Sequence, residues 1–310
     1  MRMTYRDWVL LFLLSVLWGG SFFFVAVAVR EVPPLTVVGL RTGIAALALG
    51  AVLWIRGKTW PFAQDTVAAF FVMGFLNNLV PFSLLFWAQT MIPSGLASIL
   101  NATTPIFSII VAHFLLADER MARNRAIGIL SGFLGVVVLL GGGVQNGPGI
   151  ALSGMLACLA AALSYGFAGV YGRRFRAMNL SATQVAFGQL IATTTMMVPI
   201  VSLADRPWAL SAPGLPVIAS VLALAIVSTA LAYVIFFRVL ASAGAVNVTL
   251  VTLLVPVSAI LLGRFILGEE MALRQYAGMG LIGIGLLAID GRIGERLRGS
   301  SGAGKPGVTK

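Results

Sequence analysis

The stretch Ser94–Glu119, SGLASILNATTPIFSIIVAHFLLADE, returns 151 residues later as Ala245–Glu270, AVNVTLVTLLVPVSAILLGRFILGEE, without a gap. Pro105 falls on Pro256, Asn101 on Thr252, Ser98 on Thr249, and Asp118-Glu119 on Glu269-Glu270. The register continues upstream, where Asn77-Asn78 meets Ser228-Thr229 and Phe82 meets Tyr233. Each stretch is an apolar run with the roughly 20 residues a helix needs to cross a bilayer. Each carries a proline near its middle and small polar residues on one face. Such a pair reads as the two halves of a solute pathway.

Composition agrees. Of 310 residues, 59% are hydrophobic and 10% charged, with mean hydropathy +0.99. A soluble domain carries roughly 25% charged residues, so this chain cannot clothe a globule in polar groups. It is expected to be an integral membrane protein. The net charge of +11 would suggest nucleic acid in a soluble protein, but the basic residues sit in short loops and in the tail, so no nucleic-acid partner is expected. The single cysteine, Cys158, lies in an apolar run, which excludes a disulfide framework and a Cys/His metal site. The first apolar run has the length of a full span and reads as a transmembrane helix rather than a cleaved signal.

Ten segments qualify as spans: 8–29, 34–55, 66–90, 94–117, 125–143, 150–172, 181–203, 213–238, 244–267 and 273–290. With the N-terminus inside, cytoplasmic segments hold 16 of the 21 Lys and Arg residues. That bias places both termini in the cytoplasm. Five spans per copy is an odd number, so the second copy enters from the opposite side. The expected fold is therefore an all-α integral membrane protein of ten transmembrane helices in two inverted five-helix repeats, at 1–145 and 146–290. A Gly/Ser/Lys-rich cytoplasmic tail at 291–310 is expected to be disordered. Transporters use inverted repeats because exchanging the two conformations opens a central site to either side. The first spans align more loosely, Trp18-Gly19 on Tyr165-Gly166.

Three groups of residues carry the expected chemistry. A proline within a helix removes the N–H that would bond the carbonyl four residues back. Pro81, Pro105 and Pro256 thereby free the carbonyls of Asn77, Asn101 and Thr252. These oxygens either edge a wet cavity and receive a substrate ammonium, or are capped by neighbouring helices beside a simple kink or hinge. Ser94, Ser98, Asn101 and Ser108 share one helical face, echoed by Thr249 and Thr252. Asn77, Asn78, Ser228 and Thr229 add amides and hydroxyls, though some of these groups serve helix packing. Among the aromatics, Trp18, Phe82, Tyr165 and Tyr233 lie deep enough to line a cavity, whereas Trp8, Trp54, Trp60 and Trp208 fit interfacial belts. Charge within the spans is sparse. Arg41 either meets a carboxylate or braces helix ends. His113 either carries protons or is a neutral, hydrogen-bonded histidine. Gly128, Gly132 and the glycines at 278, 280, 283 and 285 are expected to pack helices within a monomer, with a dimer surface as the alternative.

The segments LLADERMARNRAIGILSGFLGVVVL (115–139) and ILGEEMALRQYAGMGLIGIGLLAI (266–289) resemble the closing signature of EamA repeats. With LWGGSFFF at 17–24 and an arginine in the second span, residues 8–290 resemble a ten-helix member of the drug/metabolite transporter superfamily. The likeness is greatest to bacterial exporters of amino acids, aromatic ones included. It implies a bacterial inner-membrane location, a lipid-embedded protein, a small-molecule substrate, no cofactor and no enzymatic activity. It also implies a central cavity built from the first, third, fourth, sixth, eighth and ninth spans. Export of drugs or nucleosides is the alternative. A membrane-embedded enzyme or scaffold is the remote one, because no paired Asp, H-E-x-x-H or Ser/Lys dyad is present. Without a buried carboxylate, transport is expected to be facilitative or coupled through His113.

Overall fold

A computed structural model describes residues 4–57, 63–116, 123–140, 150–243 and 251–290. Thr249 and the pair Asp118-Glu119 lie outside the described residues. Helices occupy all ten expected segments, and no strand occurs among the described residues. The helices are α1 (Tyr5–Ala28), α2 (Pro34–Ile55), α3 (Gln64–Gly74), α4 (Val80–Ala88), α5 (Ser94–Asn101), α6 (Thr104–Leu115) and α7 (Arg123–Leu140). The remainder are α8 (Ile150–Tyr171), α9 (Ala182–Ala204), α10 (Leu215–Ala225), α11 (Ala232–Ala243), α12 (Val251–Leu267) and α13 (Leu273–Asp290). Among the described residues, seven helical segments are long and apolar enough to cross a membrane, with shorter apolar helices at Ala126–Leu140 and Leu254–Leu267. The chain is a multi-span helical membrane protein.

The ends of these helices follow from sequence. Thr4 and Asp7 form a capping box at the start of α1, as Ser181 and Gln184 do for α9. Pro34 opens α2, where its missing N–H costs nothing. Large apolar side chains such as Phe12, Leu47, Phe114, Leu130 and Phe265 stay exposed on the flanks, as surfaces solvated by lipid tails do.

One feature was not expected from sequence. Between α3 and α4 the backbone runs through a π-turn at Phe75–Leu79, and between α10 and α11 through another at Ile226–Leu231. The two start 151 residues apart, at the repeat-related pairs Asn77-Asn78 and Ser228-Thr229. Each adds a residue to the turn and so re-aims the side chains that follow. The fourth span is also broken. Its two halves, α5 and α6, are separated by a turn at Ala102-Thr103, with Pro105 at the second position of α6.

Packing between the halves is reciprocal. α1 lies on α12 while α8 lies on α6; α8 also packs on α4 while α1 packs on α10 and α11; α2 pairs with α9 and α7 with α13. Glycines set the closest approaches. A Cβ on Gly19 would come 2.9 Å from Val255 O and Ala259 N, and 2.5 Å from Ser258 Cβ. A Cβ on Gly166 would come 3.1 to 3.2 Å from the backbone of Phe107 and Ser108. Phe107 and Ser108 are the residues 151 positions before Ser258 and Ala259, so the loosely aligned Trp18-Gly19 and Tyr165-Gly166 occupy matching places against opposite halves. In α7 and α13 some of the glycines pack within the chain: a Cβ on Gly135 would meet Gly278 O at 2.7 Å, and one on Gly285 would meet Gly128 O at 2.5 Å, whereas Gly280 and Gly283, expected to pack likewise, have open space where a Cβ would stand.

Candidate functional site

A cavity of about 480 Å³ lies between the halves. It reaches from Gln89, which follows α4, to Gly172 and Phe175, which follow α8. Trp18, Asn77, Phe82, Ser98, Asn101, Tyr165, Ser228, Tyr233 and Thr252 all line it, as does Arg41. Asn78 does not. It is fully buried and its Nδ2 donates to Thr193 Oγ1 at 3.2 Å, tying the π-turn to α9. Nor does His113, which is exposed and packs edge-on against Phe114 at 5.3 Å between centroids.

The proline carbonyls require a correction. In the π-turn, Val80 N–H donates to Phe75 O, five residues back. The donor missing at Pro81 is thus the one owed to Leu76 rather than Asn77, and Leu76 O accepts from Ser164 Oγ at 2.7 Å. The carbonyl of Asn101, opposite Pro105, accepts from Thr104 Oγ1 at 2.7 Å. Each thus already has one of its two acceptor sites filled from within the protein. Capping of this kind is what hydrocarbon demands of a backbone oxygen without its helical partner. Pro256 lies inside α12.

Several wall residues hold one another. Asn77 Nδ2 donates to Gln189 Oε1 at 2.9 Å. Trp18 lies 5.5 Å from Phe236, ring to ring. Gln89, just past α4, and Gln189, the eighth residue of α9, both line the cavity, and neither stands out in the sequence because a lone glutamine carries no periodic signal. Three buried atoms on lining residues have no hydrogen-bond partner: Gln89 Oε1, Asn101 Oδ1 and Ser228 Oγ.

Arg41 is the only charged residue among the described lining residues. It is 7% exposed, and its Nε donates to Thr229 Oγ1 at 2.9 Å. The Thr229 hydroxyl in turn donates to Leu224 O at 2.7 Å, so its lone pair faces the guanidinium. The Phe82 ring lies under Cζ at 3.9 Å and Phe86 at 5.6 Å. Arg41 therefore does not brace helix ends; it is a buried cation fixed by one hydroxyl and two aromatic faces. Among the described residues no group of His, Cys, Asp and Glu is placed to hold a metal ion.

Known proteins resemble this chain along most of its length. A transporter from Bacillus subtilis, named Uncharacterized transporter YoaV, is 28% identical over 88% of this chain and 92% of its own. A Salmonella typhimurium protein named Probable amino-acid metabolite efflux pump is 29% identical over 92% of this chain and 94% of its own. The Uncharacterized inner membrane transporter YedA of Escherichia coli K12 is 26% identical over 88% and 86%. One solved crystal structure matches the fold with a TM-score of 0.68, at 21% identity, over 96% of this chain and 99% of that one. The profile of the EamA-like transporter family matches twice, at residues 7–141 and 152–289. Two matches covering nearly all of the helical region place the chain in that family: it is an EamA-type membrane transporter of the drug/metabolite transporter superfamily.

Proposed function

We propose that this chain exports amino acids or similar small amphipathic metabolites across a bacterial inner membrane, by alternating access through the cavity between residues 1–145 and 146–290 acting as inverted repeats. The observation that carries this reading is the position of the cavity. Its wall draws repeat-related residues from both halves: Asn77 and Ser228, Phe82 and Tyr233, Asn101 and Thr252. A site on the axis relating two interchangeable halves is equidistant from both exits, which is the geometry alternating access requires. Its volume falls within the roughly 300–1,000 Å³ typical of small-molecule sites. A wall of amides, hydroxyls and rings suits a solute with one polar end and one apolar end. Basic-residue bias favours cytoplasmic termini, and the chain is taken to act as a monomer.

Proteoliposomes preloaded with a panel of radiolabelled amino acids test this. Counterflow by wild type, and its loss or reduction in Asn101→Ala and Asn77→Ala, is the expected result. Flux of no amino acid, or flux unaltered in both variants, overturns it.

A further inference from the structure

We propose that the cavity selects monoanionic organic acids, with one carboxylate on an apolar or aromatic body and no ammonium, over the corresponding zwitterions. This rests on the transporter reading above and, within its substrate class, places amphipathic monocarboxylates ahead of the amino acids.

Charge balance favours such a solute. Arg41 brings one positive charge to the wall, and no Asp or Glu is among the described lining residues. A buried, unpaired cation is costly in a low-dielectric interior, and an incoming anion relieves that cost. The orientation of the guanidinium is suited to the task. Nε is engaged with Thr229, while the two terminal nitrogens hold no hydrogen bond to any described residue. Those are the donors that form the two-pronged pair with a carboxylate. Phe82 and Phe86 cover the guanidinium face and leave its edge for the ligand.

An ammonium finds no opposite charge among the described lining residues. The neutral oxygens of Leu76 and Asn101 each already accept one hydroxyl hydrogen, from Ser164 and Thr104. Gln89 Oε1 and Asn101 Oδ1 lack partners, but a neutral amide oxygen does not neutralise a charge. A zwitterion therefore carries one compensated charge and one that is not, whereas a monocarboxylate carries only the former. The volume of about 480 Å³ far exceeds an inorganic anion, and the rings of Trp18, Tyr165, Tyr233 and Phe236 offer apolar faces to an organic body. A phosphate dianion would need more donors than one arginine supplies. At the α8 end, the exposed Arg173 and Arg174 lie in sequence between Gly172 and Phe175 of the cavity wall, where they raise the local concentration of anions.

Three probes sharing one aromatic body test the proposal: 3-phenylpropionate, phenylalanine and 2-phenylethylamine, each titrated calorimetrically against the purified full-length protein at neutral pH. The expected order is phenylpropionate tightest, phenylalanine at least about tenfold weaker, and the amine without measurable binding. Arg41→Lys keeps the charge and loses the two-pronged geometry, so it weakens phenylpropionate about tenfold. Arg41→Gln removes the preference over phenylalanine. Phenylalanine binding as tightly as phenylpropionate in wild type, or absence of binding by all three, overturns the proposal, and neither outcome depends on a variant folding. Counterflow in the same preparation separates the two readings. Amino-acid flux without carboxylate preference sinks this inference and leaves export standing, whereas carboxylate binding with no flux of any solute does the reverse.

Discussion

Glu269 grips Ser94 with both carboxylate oxygens: Oε1 accepts the backbone N–H at 2.8 Å and Oε2 the hydroxyl at 2.9 Å, with Gly95 N–H also reaching Oε2 at 3.2 Å. The carboxylate stands just beyond α12 and the bonds cap the first turn of α5, so one side chain ties the two halves together at the end of the bundle where α5 begins. Gly268 makes the approach feasible, turning the chain at φ +69° with no Cβ to clash. The same end carries two more acidic caps across the halves. Asp205 accepts from Thr36 N–H at 2.9 Å and from its hydroxyl at 2.7 Å, and Glu31 accepts from Gly214 N–H at 2.7 Å.

Glu269→Ala should open this end of the bundle. Charge-assisted bonds contribute about 1.5–3 kcal/mol each, enough to shift a conformational equilibrium tenfold or more. A cysteine at cavity-lining Ser98, as fully buried as the native Cys158, reports the change in a Cys158→Ala background, because it becomes reachable only if this end opens. Impermeant thiol reagents should label Ser98→Cys about tenfold faster when Glu269→Ala is added. Gly263→Ala should act alike, since its Cβ would stand 2.5 Å from Glu269 Oε2 and 3.0 Å from Ser94 Oγ. Equal labelling rates with and without Glu269 would show that the grip does not close this end.

The glycine crossings should differ in how well they tolerate a methyl group. Gly19→Ala forces a Cβ into the backbone of α12, and overpacking of this kind costs about 1–3 kcal/mol. Gly166→Ala, with 3.1 Å or more to its nearest neighbours, should cost less. Gly280→Ala and Gly283→Ala meet nothing within 4 Å and should gain up to about 1 kcal/mol from helix propensity. Thermal unfolding of the four purified variants should rank them in that order. A Gly19→Ala protein as stable as wild type would mean that the α1–α12 crossing adjusts freely.

Why could the helices be read from the sequence when parts of their chemistry could not? Bilayer thickness fixes the length of every apolar run, so segments such as 34–55 and 273–290 stand out residue by residue. The 151-residue register marked Asn77-Asn78 and Ser228-Thr229 as special, yet it did not reveal that both pairs sit in π-turns. The apolar run is the same in an α- or a π-turn; only the hydrogen-bond partner changes. Capping of Leu76 by Ser164 spans 88 residues, and contacts between helices leave no trace in a local pattern. The loose register of the first spans has a simple account. Trp18 and Tyr165 are 147 residues apart, four fewer than 151, and four residues is about one helical turn. The same face is therefore kept while the period slips.

Ser164→Ala tests the corrected reading of Pro81. Without the hydroxyl, Leu76 O faces a proline nitrogen that cannot donate, inside a buried contact between the π-turn and α8. An unsatisfied buried carbonyl costs about 1–3 kcal/mol, so Ser164→Ala should lower the unfolding temperature. Pro81→Ala restores a backbone donor in the π register, and it should recover most of that loss in the double variant. If the double variant is no more stable than Ser164→Ala alone, the hydroxyl is not standing in for the missing N–H.

Thr229 links backbone geometry to charge. Its hydroxyl gives its hydrogen to Leu224 O, five residues back, which leaves its oxygen as an acceptor for Arg41 Nε. The π-turn at Ile226–Leu231 sets that reach. Thr229→Val keeps the volume but removes the acceptor, leaving Nε unpaired in a buried wall and the guanidinium free to swing over Phe82. Phenylpropionate affinity should fall by roughly tenfold, the equivalent of one charge-assisted hydrogen bond. Thr229→Ser, which retains the oxygen, should bind within about twofold of wild type. Valine exchanges the hydroxyl for a methyl and serine drops the methyl, so both variants disturb packing, while only the loss of the oxygen would separate their affinities. Equal affinities for Thr229→Val and Thr229→Ser would show that Arg41 is held by the rings alone.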